Sequence, residues 1–128
     1  MRERERITVE EFISRLKAQG VPRKHAAVVC PICGTVQSIA SLTKAGVPSG
    51  DAERFFAYSC EGRFTGQGSA LMPERHPRDA SKRGCNWTLG GVFQLHKLEV
   101  VHEGKVHPGF EVATKEQAQA LMAEMETA

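Results

Sequence analysis

Val9, Phe12, Ile13 and Leu16 recur at the three-to-four-residue spacing that puts them on one face of a helix. Thr8 followed by Glu11 forms a capping box, and Ile7 and Phe12 sit where a hydrophobic staple would fix the entering chain. The pattern predicts a helix over residues 9–19, inside a segment 8–20, stopped by Gly20 and barred from continuing by Pro22. A matching signal lies near residue 114. Thr114 and Gln117 make a second capping box, and Ala118, Leu121, Met122 and Met125 give a helix over 114–126 an apolar stripe.

Between these helices the periodicity shortens. Residues 26–29 are an apolar run into Cys30 and read as a buried strand, while 37–45 read as a helix ended by Gly46 and Pro48. Phe55, Phe56 and Tyr58, crowded just before Cys60, predict a strand over 54–59. Residues 92–101 and 105–112 predict a hairpin turning at Glu103-Gly104, with Val106, Phe110 and Val112 on one face. Its first strand loses alternation near His96, the mark of a bulge. Residues 61–84 follow neither period. A loop of that length is unusual in a small domain and tends to carry function.

Composition adds a constraint. A chain of 128 residues, 41% hydrophobic, suits one domain, 1–128, but one Trp, one Tyr and six Phe furnish few large core side chains. Such a core gains from a cross-link, and four cysteines are at hand. The opening Met1-Arg2-Glu3-Arg4-Glu5-Arg6 is charged throughout, and no apolar stretch approaches the roughly 20 residues of a membrane span. The expected location is the cytoplasm, with no membrane partner. In that reducing setting the cysteines are metal ligands or reactive thiols rather than disulfides. A net charge of +2 gives no argument for a polyanionic partner by itself.

Cys30-Pro31-Ile32-Cys33-Gly34 is the sharpest local motif. Two residues between thiolates set the bite for a tetrahedral ion, and the glycine lets the backbone turn around the sulfurs. With Cys60 and Cys85 the set becomes four soft ligands, suited to one structural Zn(II). Cys60 and Cys85 are separated by 24 intervening residues, so the loop between them must fold back; His76 is the substitute ligand should Cys85 point away. A strand, Cys-x-x-Cys and helix also describe a thioredoxin-like redox site, although Gly34 and the two further cysteines weigh against it. The nucleobase deaminases pair Cys-x-x-Cys with His-x-Glu, and none of His25, His76, His96, His102 and His107 begins that pattern. There is no P-loop, no dinucleotide fingerprint and no nucleophile elbow.

The loop carries Arg63, Arg75, Arg78, Lys82 and Arg83 against three acidic residues, with Phe64 among them. These six are the candidate contacts for phosphate or for a protein surface. Trp87, two residues after Cys85, is expected to pack over the metal and exclude water.

Cys30 through Ser38, Ser59-Cys60-Glu61-Gly62-Arg63-Phe64-Thr65-Gly66, Gly84-Cys85-Asn86-Trp87 and Gly90-Gly91-Val92-Phe93 together resemble small four-cysteine, zinc-ribbon-like proteins of phages and prophages of Proteobacteria. The resemblance covers residues 26–93. It implies a four-cysteine core and a phage or prophage setting, and it brings no activity and no catalytic residue.

The expectation is therefore an α+β fold: a small zinc-ribbon-like antiparallel β core, 25–112, with the 61–84 loop, between N- and C-terminal helices. Its expected role is that of a non-enzymatic module contacting nucleic acid or a host protein, with no small-molecule substrate. The alternatives are a thiol redox or zinc-dependent enzyme using Cys30 and Cys33, and a phage anti-defence protein acting by protein binding.

Overall fold

A computed structural model describes residues 4–89 and 95–127. Helix α1 (Val9–Lys17) starts where the capping box places it, with Glu11 N donating to Thr8 Oγ1 at 3.1 Å. Gly20, at φ +71°, takes the left-handed conformation that ends the helix region. The segment before it is not merely a charged tail. Strand β1 (Glu5–Thr8) pairs in parallel with β4 (Leu98–His102), which also forms an antiparallel hairpin with β5 (Lys105–Gly109) across Glu103-Gly104.

A second sheet holds the cysteines. Strand β2 (Ala27–Val29) lies between β3 (Val36–Ser38) and β6 (Glu111–Val112), antiparallel to both. The helix predicted from residue 37 begins later, because Gln37 and Ser38 pair with Val28 and Ala27. Ser38 then caps helix α2 (Ile39–Lys44) reciprocally: Ser41 N donates to Ser38 Oγ at 3.1 Å and Ser38 N to Ser41 Oγ at 2.8 Å.

Two other expectations are overturned. The aromatic run is not a strand: Phe55 ends helix α3 (Ser49–Phe55), and Tyr58 N and Ser59 N both donate to Phe55 O, closing a turn. Phe55 and Phe56 pack from that helix end onto the buried cluster of Leu42, Val47 and Ala52, and this burial overrides their strand preference. Pro48, read as a terminator, stands at the N-cap of α3. The stretch 105–112 is likewise not one strand. At Phe110 the chain leaves the first sheet for the second, its N–H donating to Ala57 O at 3.0 Å and its side chain fully buried, while Val106 stays 43% exposed. Of the partner strand expected over 92–101, residues 92–94 lie outside the described residues, and 95–97 are not strand. His96 is buried at that break, Nε2 lying 3.2 Å from Glu99 Oε2.

Helix α4 (Lys115–Thr127) carries its capping box, with Thr114 N donating to Gln117 Oε1 and Gln117 N to Thr114 Oγ1. Ala118 and Leu121 are buried with Ala27 and Ala113, and Met125 packs against them. The strands are too short to satisfy their own ends, and a buried side chain completes the junction. Gln19 donates to Ala27 O at 2.8 Å and Ala113 O at 2.9 Å and accepts from Ala27 N at 2.8 Å, joining the end of α1 to both strand ends.

Gln19→Leu removes the side-chain partner of Ala27 N and Ala113 O, while Ala27 O keeps the bond from Ala113 N, and an unmet buried group costs about 1–3 kcal/mol. The variant should therefore lose roughly 3 kcal/mol or more in urea unfolding, whereas Gln119→Ala, removing one peripheral bond to Gln19 O, should change stability by about 0.5 kcal/mol or less.

Candidate metal centre

The first half of the site is the turn of the β2–β3 hairpin. Val29 pairs with Val36, Cys30 N donates to Thr35 O at 3.0 Å, and Gly34 N donates back to Cys30 O at 3.0 Å. Gly34 sits at φ +77°, so the chain reverses tightly enough to aim both sulfurs inward. Cys33 Sγ lies 3.1 Å from Thr35 Oγ1.

The second half is made by two chain segments that meet only in the fold. Cys60 N donates to Trp87 O, Leu89 N donates to Tyr58 O, and Ser59 bridges Thr88 with their hydroxyls 2.9 Å apart. This short antiparallel pairing brings Cys85 beside Cys60, and Cys85 N donates to Cys60 Sγ at 3.3 Å. The approach requires glycine on both sides. A Cβ on Gly84 would stand 2.9 Å from Cys60 Sγ, and one on Gly62 would stand 2.6 Å from Cys85 N. Gln37 ties the halves together from β3: its amide donates to Phe56 O and Ser59 O and accepts from Glu61 N.

The intervening loop is folded back by a third buried amide. Gln67 donates to Asp79 O at 2.8 Å and Lys82 O at 3.0 Å and accepts from Gly68 N and Asp79 N. Ser69 N donates to His76 O, so the outer part of the loop, residues 71–82, stands as an exposed projection on a buried stem.

The four sulfurs lie within 4.8 Å of one another, with Cys30 to Cys85 at 3.9 Å and Cys33 to Cys60 at 3.7 Å. A tetrahedral ion with bonds of about 2.3 Å would set its sulfurs about 3.8 Å apart, so this donor set is compatible with a zinc site. Cys30, Cys60 and Cys85 are buried and Cys33 half-buried, packed with Val28, Trp87, Leu89 and Phe110. Trp87 thus takes the covering position expected of it. His76 is exposed and outside the set. All four cysteines are free of disulfides.

Crowding controls the protons. The hydrogen bond from Cys30 holds the Cys33 and Cys85 thiols down, whereas Cys30 is pushed up chiefly by its bond with Cys33, and Cys60 chiefly by its bond with Cys30. The sulfurs alone do not all ionise together; a cation is what allows four thiolates to share so small a volume.

The loop residues divide. Arg63 and Arg75 are exposed, and Phe64 packs on Phe55 with ring centroids 5.0 Å apart. Arg78 donates to Gly84 O at 2.7 Å, and Lys82 Nζ donates to Thr65 O at 2.9 Å. Arg83 donates to Val36 O, pairs with Glu61 at 3.2 Å and reaches Glu124 of α4 at 3.9 Å. Glu61 is buried, which pushes its carboxyl up, and Arg83 opposes the shift. The sequence reading missed Glu61 and the three glutamines, since isolated polar residues carry no period that would show them turning inward.

A family model described as VVA0879-like matches residues 8–113. No curated protein and no solved structure matches the chain.

Gly84→Ala should abolish stoichiometric metal binding, because both its φ of +80° and the Cys60 sulfur oppose a side chain. Gly34→Ala, with nothing within 4 Å of the new carbon, should keep the metal and cost about 1–2 kcal/mol of left-handed strain. Metal content and urea titration distinguish the two. Arg83→Ala strands the buried Glu61 carboxylate and should cost roughly 2–3 kcal/mol, below the value for a fully buried pair since Arg83 is partly exposed. Glu61→Gln in the same chain should recover much of that loss in a double-mutant cycle.

Proposed function

The chain belongs to the VVA0879-like family, whose match spans all four cysteines, and from the geometry at those positions we propose a non-enzymatic zinc module that binds a protein partner through its 61–84 loop. One structural Zn(II) is held by Cys30, Cys33, Cys60 and Cys85. The observation that carries this reading is the convergence of four sulfurs from three separate segments at tetrahedral spacing. When bound, zinc supplies a cross-link and no chemistry of its own, because four protein thiolates leave no position for a substrate water. Binding free energy of order 10 kcal/mol in such sites is comparable to the whole stability of a small domain.

The loop's chemistry favours a protein partner over nucleic acid. Arg78 and Lys82 spend their hydrogen bonds on the loop's own backbone, and Arg83 spends its own on Val36 O of β3 and on Glu61, leaving Arg63 and Arg75 as the loop's uncommitted cations. The tip exposes apolar side chains, with Leu71 41% and Met72 40% accessible. A buried stem that presents an apolar tip with two flanking arginines suits a recognition loop on a rigid base. A cytoplasmic location agrees with reduced cysteines, and no helix among the described residues is long and apolar enough to cross a membrane. The phage or prophage setting implied by the sequence resemblance belongs to the same reading, with a host protein as the partner and an anti-defence role as one form of it.

Purified protein should contain one equivalent of zinc, retained in His76→Ala and lost in Cys85→Ser. Oligonucleotide titration at low salt should show no tight binding, and Leu71→Asp with Met72→Asp should abolish capture of the partner while leaving the zinc in place. Steeply salt-dependent oligonucleotide binding that Arg63→Ala and Arg75→Ala flatten would instead assign the loop to nucleic acid.

A further inference from the structure

Helix α1 has an unusual balance: its apolar residues share one face, yet none of its residues is fully buried, and Ile13 is 45% exposed. That face borders a cavity of about 650 Å³. Phe12, Ile13 and Leu16 form one wall, Val21 and Ala26 a second, and Ile39 and Phe56 the rest. The volume falls within the range of about 300–1,000 Å³ typical of small-molecule sites, and the lining is apolar, as such sites are.

The polar groups at the cavity are few and unequal in sign. Arg23 and Glu53 are paired to each other. Lys17, the remaining charged lining residue, makes no ion pair among the described residues, so the opening keeps one positive charge that the Arg23–Glu53 pair does not offset. A ligand that fills this space gains from apolar burial along its length and from one anion near Lys17.

We propose that this cavity is a binding site for a small amphipathic monoanion, a carboxylate on an aliphatic chain, with the chain against Phe12, Leu16 and Phe56 and the carboxylate at Lys17. The molecule is a ligand rather than a substrate: the charged groups bordering the cavity, a lysine and an arginine–glutamate pair, form no catalytic constellation. The site is independent of the 61–84 loop and of the partner it contacts. It uses the folded, metal-loaded chain, since Phe12, Leu16 and Phe56 also pack against the cysteine cluster.

The test is isothermal titration of the zinc-loaded full chain with octanoate, decanoate and dodecanoate, and with uncharged decanol. Saturable binding of one molecule per chain is expected, tightening about fourfold per added methylene until the cavity is filled. Ile13→Glu, at an exposed position that tolerates charge, should abolish binding of the carboxylates. Lys17→Glu should weaken decanoate about fivefold or more and leave decanol unchanged. Absence of saturable binding, or affinity independent of chain length, overturns the proposal, as does binding that survives both substitutions. Equal loss of decanol and decanoate in Lys17→Glu removes the anion from it. A dimer in sedimentation that Ile13→Glu dissociates would show that a second copy of the chain covers this face, and would equally refute it.

Discussion

Four cysteine sulfurs converge within 4.8 Å of one another, a volume that four thiolates could share only around a cation, and the fold is arranged about that convergence. The cysteines come from a hairpin turn, from the segment after α3 and from the far side of a 24-residue loop, so three parts of the chain are brought to one point. Around this point sit the largest buried side chains of the second sheet's core, Phe110 and Trp87 among them. With so few aromatic residues available, an ion held there would join three segments and substitute for apolar area that the chain does not have.

The polar interior follows the same economy of material. Strands of two to five residues leave many backbone groups without ladder partners, and buried amides meet them. Gln19 closes the junction of α1 with β2 and the start of α4, Gln37 joins β3 to the Cys60 segment, and Gln67 folds the long loop onto its own stem. Arg83 extends the arrangement outward, linking the residue beside Cys60 to β3 and to α4. Side chains here do work that longer strands do by themselves, and this lets a loop of 24 residues be carried on a defined base.

Where structure is decided locally, the sequence was readable. Both capping boxes mark true helix starts, Gly20 marks an end, and the Cys30–Cys33 spacing identifies the half of the site that lies in one turn. Where it is decided by distant partners, it was not. Residues 5–8 form a strand because β4 offers a parallel edge 93 residues later, which no local pattern announces. Phe55 and Phe56 read as strand by type but end a helix, because their burial against Leu42 and Ala52 outweighs intrinsic preference. Phe110 changes sheets in the middle of an apparently regular run because its N–H finds Ala57 instead of a ladder partner. Charge on a loop shows that a residue is ionised, not which way it points; hence Arg78, Lys82 and Arg83, read as outward contacts, anchor backbone within the chain.

X-ray absorption at the zinc edge on protein as purified tests the central claim directly, because it reports both the element and its neighbours. The expected result is a zinc edge with four sulfur scatterers at about 2.3 Å and no nitrogen or oxygen in the shell. Folded protein without bound metal, or a shell containing fewer than four sulfurs, would contradict it.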